Sequence, residues 1–457
     1  MSLSHELFGI ICLAIIFAMV FLLGEFLRRV VKVSPEVSRK TVHIGGCLVA
    51  LLFPVMLKSH WSVLVMAATA TTVIIFGKRK GMLPSLDDVS RITRGSVFHP
   101  IAIYLCFLTA QLLQRMVYYE IALLVLGFSD SMAALTGVTY GRKKYLVEAT
   151  DSKSLEGSTI FFVITFIIVE IGLLLFTPIS RLDCILVALL IAICVTLFEA
   201  ISMHGADNLA VPLGTIFILA KNTNPITAIV LYQFLMLAFA LVYVNAVAFP
   251  FKKVSPTGVI SMVLAIYTAG GLVNYRWMLP LAVAVFVFCR TKWFISESTE
   301  PNRARPAFYL LVVPSFWILS ANLLGKNISE HEASCLLFPS FITSIVSQML
   351  ISRHNRNITQ HRDYGIYQTV RDVILLNLPI LIGIMILYRH DLRQPVVWCC
   401  VFTVFLDMAV VYCYDAFLQK RISPDSCNLL RLRMLLVFIA SMIPAGLMFL
   451  GRKLCQN

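Results

Sequence analysis

The chain alternates between long apolar runs and short polar breaks. In the first half the runs fall near 7–27, 41–57, 60–77, 97–114, 118–140, 158–177 and 183–202. In the second half they fall near 226–248, 257–273, 277–289, 307–324, 333–351, 373–388, 395–417 and 434–450. A bilayer core takes about 20 apolar residues per helix, or a few fewer where it is locally thinned. The pattern predicts an all-α fold, a polytopic integral membrane protein. One further piece, Leu209–Lys221, is short for a span, and the charges in the breaks decide how to read it.

After the first, third and fifth runs lie Arg28, Arg29, Lys32, Arg39 and Lys40, then Lys78, Arg79, Lys80, Arg91 and Arg94, then Arg142, Lys143, Lys144 and Lys153. The alternate breaks hold only Lys58, Arg115 and Arg181. Positive loops stay cytoplasmic, so these basic breaks face inside and the N-terminus faces outside. If Leu209–Lys221 crosses, later inside loops carry Lys252, Lys253, Arg290, Lys292, Arg303, Arg305, Arg353, Arg356, Arg362, Arg371, Lys420, Arg421, Arg431 and Arg433. If it does not cross, those charges move outside and the rule is badly violated. Read as a short, broken span, it brings the expected count to about sixteen transmembrane helices. The first run is followed, not preceded, by its charges, so it reads as a retained span and not a cleaved signal peptide.

Composition supports this. Of 457 residues, 59% are hydrophobic and 14% charged, and the mean hydropathy is +0.85. A formal net charge of +14 belongs to loops at a membrane surface, and no nucleic-acid partner is expected. The twelve cysteines show no CxxC spacing. They read as small lipophilic core residues, forming neither a disulfide framework nor a zinc site.

Polar residues of the first half gather at the inside face. Arg39, Lys40 and His43 open the second run, where two cations at a helix start oppose the helix dipole and a bound anion would help. Gly95, Ser96, His99 and Pro100 open the fourth, where Ser96 suits a cap. Asp130 sits inside LLVLGFSDSMAALTG, roughly 10–15 Å along the helix from the Gly141 end at ~1.5 Å per residue. A carboxylate buried there costs several kcal/mol unless a cation or metal is near. Ala133, Ala134 and Gly137 allow close approach of a neighbouring helix or a ligand. Around the next basic loop stand Gly141, Arg142, Lys143 and then Lys153, Ser154, Glu156, Gly157 and Ser158. Lysines there can neutralise phosphates, while Gly157 and Ser158 offer N–H groups and a hydroxyl at a helix start. The GxxxxGK order of a Walker A motif is absent. Glu199, Asp207 and Asn208 complete the set. Asp130, Glu156, Glu199 and Asp207 are enough acids to gather Mg²⁺ around a nucleotide triphosphate, because Mg²⁺ prefers a few carboxylates plus phosphate oxygens. In the second half Asp407 and Asp415 stand near one another, and Asp415 lies close enough to the inside end to reach water.

The order RKxxH, GSxxxP, DxxAxxxG with GxK, KSxEGS and ExxxxxxxDNxxxP over residues 30–222 resembles the CTP-dependent polyprenol kinase family. That family includes dolichol kinases, phytol kinases and CTP-dependent diacylglycerol kinases, and is related to phosphatidate cytidylyltransferases. The resemblance implies transfer of the γ-phosphate of CTP to a lipid alcohol such as an isoprenoid, with a divalent metal such as Mg²⁺. It implies Asp130, Glu199 and Asp207 as metal ligands, with Glu156 supporting. Lys143, Lys153, Ser154, Gly157 and Ser158, with Gly141 and Asn208, would hold the nucleotide. Arg39, Lys40 and His43 would contact the substrate end, with His43 or a carboxylate as the base. The entry TDSKS, in place of a Pro-rich SPKK, favours the kinase over CDP-lipid synthesis. A polytopic transporter using Asp130 as its coupling site is the reading from another class. Residues 1–222 are then a catalytic membrane domain, and 223–457 an additional membrane domain in which Ser255–Phe288 faintly resembles the family containing phytyl-phosphate kinase.

Overall fold

The computed structural model describes residues 3–80, 95–148, 151–202, 205–222, 227–248, 256–290, 313–318, 320–321, 324–325, 328–359, 366–387, 394–418 and 427–456. Arg91, Arg94, Lys252, Lys253, Lys292, Arg303, Arg305, Arg362, Lys420, Arg421 and Ser255, which figured in the charge and resemblance arguments, lie outside them. The described chain is almost wholly helical, and eleven helices among the described residues are long and apolar enough to cross a membrane. The all-α, polytopic expectation holds; the count of sixteen is not reached among these residues. The chain divides into two compact units, Met1–Val230 and Leu231–Asn457.

In the first unit the helices are α1 (Leu3–Arg29), α2 (Pro35–Ala50), α3 (His60–Arg79), α4 (Gly95–Leu112), α5 (Met116–Tyr140), α6 (Leu155–Phe176), α7 (Arg181–Ile201) and α8 (Asp207–Lys221). Their starts follow from local chemistry. Ser34 caps α2 by accepting from the Val37 N–H at 3.4 Å, and Pro35 occupies the first turn, where its missing N–H has no helical partner to lose. Ser154 caps α6 through the Gly157 N–H at 3.1 Å, and Ser180 caps α7 through the Asp183 N–H at 3.2 Å. The piece expected to be a broken span, α8, is one helix of 15 residues with Pro212 inside it. It is mostly buried, so tertiary packing holds it despite the proline. The basic stretch before α6 is also more ordered than a loop. It forms an antiparallel hairpin of β1 (Lys144–Glu148) and β2 (Asp151–Ser154), with Lys144 opposite Ser154 and Tyr145 opposite Lys153.

Apolar burial runs through the middle of this unit, where Leu123, Val125, Leu126, Val187, Leu190 and Ile191 are fully enclosed. The outer faces of α1 and α3 instead expose Ile11, Ile15, Met19, Trp61 and Phe76. That distribution suits a bundle solvated by lipid tails, where outward apolar residues carry no penalty. Tyr119 is a buried exception with a satisfied hydroxyl, which donates to the Ala50 carbonyl at 2.7 Å.

The second unit takes most of α9 (Thr227–Ala248), then α10 (Pro256–Val273), α11 (Tyr275–Arg290), α12 (Glu330–Thr359), α13 (Ile366–Leu387), α14 (Gln394–Cys413) and α15 (Cys427–Gln456). Helix α12 is its centre, almost entirely buried from Cys335 to His354. Trp277 of α11 is fully enclosed, and its ring lies tilted against that of Phe341 of α12 with centroids 4.5 Å apart.

Candidate active site

Five segments of the first unit converge on a polar cavity of about 270 Å³. Helix α2 brings Arg39 and Lys40, α5 brings Asp130, and the hairpin with the start of α6 brings Lys153, Ser154, Gly157 and Ser158. The end of α7 adds Glu199, and the start of α8 adds Asp207 and Asn208. Acids and cations separated by up to 171 positions thus share one wall-to-wall space, between Glu36 and Asp207 in the chain.

Asp130 is placed by an irregularity in its own helix. Residues Val125–Ser129 form a π turn directly before it, a feature that recurs at functional sites because it redirects backbone and side chains. The Leu126 carbonyl within that turn accepts from His43 Nε2 at 3.0 Å, and Asp130 Oδ2 lies 3.3 Å from the same nitrogen. Two acceptors at one nitrogen require that Nε2 carry the hydrogen. Lys40 Nζ meets Asp130 Oδ2 at 2.5 Å. Both side chains are buried, with Lys40 3% and Asp130 6% exposed. Neither ion would be tolerable there alone, so the pair is a condition of the fold as well as a charge feature of the cavity.

Lys153 organises the opposite wall. Its Nζ contacts Glu199 Oε1 at 2.6 Å and Asp207 Oδ2 at 3.5 Å, and it also donates to the Glu199 backbone carbonyl. Burial works to lower the ammonium's pKa, but the Glu199 and Asp207 carboxylates outweigh it and hold Lys153 above the ordinary lysine range. It is a permanent cation at any working pH. The second carboxylate oxygen of Glu199 is buried and has no hydrogen-bond partner among the described residues.

Small residues bring these walls together. A Cβ on Gly157 would stand 2.9 Å from the Ala133 carbonyl oxygen, and one on Gly141 would stand 2.8 Å from Ser154 Cβ at the start of α6. Helices α5 and α6 therefore approach at backbone distance, which sets the start of α6 beside Asp130's helix. Across the hairpin, the Tyr145 hydroxyl and Ser158 Oγ are 2.8 Å apart.

Most residues singled out in the sequence meet at this cavity: Arg39, Lys40, Asp130, Lys153, Ser154, Gly157, Ser158, Glu199, Asp207 and Asn208. Gly141, Lys143 and Glu156 do not line it. The Glu156 carboxylate instead accepts from the Lys143 backbone N–H at 3.2 Å, closing the hairpin onto α6. Lys144, one position on, lines the cavity in the place expected for Lys143, because neighbouring side chains at a strand point to opposite sides. His43 lines an adjoining apolar groove, together with His99. The two imidazoles lie 4.4 Å apart, and His99 Nε2 is 4.0 Å from Cys47 Sγ. The sequence alone assigns neither His99 nor Cys47 a role; only the pairing of α2 with α4 shows them as neighbours.

Among the described residues, the group of three metal-capable side chains with ligand atoms mutually within 4.8 Å is His43, Cys47 and His99. The carboxylates expected to gather a metal do not form a group of that kind. Asp130 is held by Lys40 and His43, whereas Glu199 and Asp207 share Lys153. The donor set still fits Mg²⁺ bound with phosphate, which takes one or two carboxylates and fills its shell with phosphate and water oxygens. The partnerless Glu199 oxygen is the acceptor such an ion would find.

A membrane-embedded bundle with this site falls in the class of lipid-modifying phosphotransferases, and comparison with known proteins narrows it. Residues 3–201 match the model of the cytidylyltransferase family. Over 199 residues the chain is 33% identical to the phytol kinase of Synechocystis sp., which covers 44% of this chain and 84% of that protein. The chain belongs to the CTP-dependent polyprenol and phytol kinase family and is a multi-pass membrane lipid kinase. No solved structure matches it.

Proposed function

We propose that the protein transfers the γ-phosphate of CTP to the hydroxyl of an isoprenoid alcohol, of polyprenol, dolichol or phytol type, at the cytoplasmic face of its membrane. The observation that carries this is the single cavity holding Lys40, Asp130, Lys153, Glu199 and Asp207 beside an apolar groove. Phosphoryl transfer asks for charge neutralisation and in-line positioning more than for covalent help. Lys153, with Lys144 and Arg39 on the same walls, neutralises the triphosphate. Ser154 and Ser158 line the same space and set the positive end of the α6 dipole toward it. Glu199 and Asp207, with Asp130 across the cavity, would hold Mg²⁺, which supplies further neutralisation of the transferring phosphoryl group.

The alcohol oxygen attacks the γ-phosphorus, the bond from that phosphorus to the bridging oxygen breaks, and CDP leaves. On the His43 ring, Nδ1 is the nitrogen that can take the hydroxyl proton, since Nε2–H is already donated to the Leu126 carbonyl. The cytoplasmic placement rests on the basic loops that border the cavity.

The test is incubation of the purified full chain with labelled CTP or ATP and a panel of dolichol, phytol, geranylgeraniol and diacylglycerol. The expected products are CDP and a phosphorylated alcohol. The match to a cytidylyltransferase model favours one rival, CDP-lipid synthesis from phosphatidate, which would release pyrophosphate instead. Pyrophosphate without CDP would sink the kinase reading.

A further inference from the structure

Adjoining the polar cavity is an apolar groove of about 380 Å³, bounded by α1, α2, α3 and α4. The two spaces share Arg39 and Asn208 as lining residues. At that shared end the groove also carries His43, one turn along α2 from Arg39, and His99 of α4. Away from it the walls are almost wholly apolar, interrupted by the Thr69 and Ser96 hydroxyls. Two of the wall residues, Val65 and Val73 of α3, are more than half exposed, so the groove opens sideways toward whatever surrounds the bundle.

We propose that this groove is the acceptor-chain subsite, that it holds one isoprenoid chain and not two acyl chains, and that Ala14 and Ala70 set how much chain fits. The proposal rests on the kinase reading above. A hydroxyl at the Arg39–Asn208 junction faces the polar cavity, while its tail leaves along α1 and α3. An apolar cavity of about 150 Å³ holds one benzene, a six-carbon ligand. By that measure 380 Å³ takes about fifteen carbons. One chain of phytol length fits with its last isoprene units emerging through the lateral opening. Two long acyl chains with a glycerol backbone do not fit. Ala14 of α1 and Ala70 of α3 both line the groove, are not buried, and hold it open by being small.

The experiment uses the full chain in lipid nanodiscs with labelled CTP and alcohols of ten, fifteen and twenty carbons, plus diacylglycerol. For the unaltered protein, kcat/KM should rise from ten to fifteen carbons and then level off, with diacylglycerol at least a hundredfold poorer. Ala70→Phe and Ala14→Phe should each lose at least tenfold on the twenty-carbon alcohol and less than threefold on the ten-carbon one, with labelled CTP binding unchanged. Equal loss at both chain lengths, no loss at either, or diacylglycerol turned over as well as the twenty-carbon alcohol overturns the subsite. If the unaltered protein phosphorylates none of the lipids while still binding CTP, the kinase reading itself falls, and the subsite with it. A variant that loses CTP binding is misfolded or altered beyond the groove, and the remaining alanine position then decides.

Discussion

Asp130 of the first unit and Asp407 of the second are alike in the sequence: each is a lone acid inside an apolar helix. Their surroundings differ in kind. Asp130 faces the ammonium of Lys40 at 2.5 Å and lines a polar cavity. Asp407, fully buried, accepts from Ser347 Oγ at 2.6 Å and from Asn377 Nδ2 at 3.2 Å, and no cation reaches it among the described residues. The same asymmetry holds for cations. Lys153 sits between two carboxylates, whereas buried Arg433 is held by the Gln348 side chain and backbone and by Ser352. An intramembrane charge is a functional candidate by default. What separates a reaction site from a structural seam is whether opposite charges meet at an accessible space.

The sharpest way to break this contrast is to remove the cation at the centre of the site. Lys153→Ala should lower lipid phosphorylation by about a thousandfold or more, the scale at which a charge-neutralising side chain acts in phosphoryl transfer. Arg433→Gln in the second unit should leave the turnover number within a factor of about three, since a side chain away from the reacting charges contributes nothing to such neutralisation. Steady-state kinetics on protein that elutes as a single species would show it. Losses of similar size in both variants would erase the distinction between the units.

Next in size is a stability effect. Lys40→Met leaves Asp130 buried without its cation and should cost about 3–5 kcal/mol. The double variant Lys40→Met/Asp130→Asn removes both charges and should recover most of that loss. Both variants should be inactive, so thermal unfolding in detergent is the informative measurement. If single and double variants unfold together, the pair is not what holds these helices in place.

Smaller again is the cost of separating two helices. Gly157→Ala puts a methyl group 2.9 Å from the Ala133 carbonyl and should destabilise by about 1–3 kcal/mol. Among the described residues, nothing lies within 4 Å of a Cβ added to Gly446 of α15. There the same substitution should stabilise by about 0.5–1 kcal/mol through helix propensity alone. Unfolding midpoints of the two variants, moving in opposite directions, would confirm that the close approach belongs to the site and is not a general property of helical glycines here.

Much of this site was legible in the chain. Asp130, Lys153, Glu199 and Asp207 announce themselves as charges among apolar residues, and Gly157 beside Ser154 reads as a helix start. What stayed hidden depends on geometry through space. The Lys40–Asp130 pair spans 90 positions, and no local pattern says which of several cations will find the acid. Lys144 replaces Lys143 at the cavity because the basic stretch folds into a hairpin, where a shift of one residue exchanges the two faces. His99 carried little weight alone; its meaning comes from the ring of His43, tilted against it with centroids 4.4 Å apart. The span count was the least secure element, since hydropathy marks that a helix is apolar without fixing how its ends are arranged.

The finest test concerns Asp407 itself. Both of its partners are neutral donors, so an amide can stand in its place with little rearrangement. The new side chain can keep its carbonyl oxygen for Asn377 Nδ2, which also donates to the Val373 carbonyl at 3.1 Å and so stays as it is. Its NH₂ then turns to Ser347, whose hydroxyl oxygen accepts as well as donates. No uncompensated charge is created, in contrast to Lys40→Met. Asp407→Asn should therefore shift stability by no more than about 1 kcal/mol, the net worth of one exchanged hydrogen bond, and leave lipid phosphorylation unchanged. If it silences phosphorylation as Lys153→Ala does, the second unit has a share in the chemistry, and the line drawn between a charged cavity and a neutral polar seam is in the wrong place.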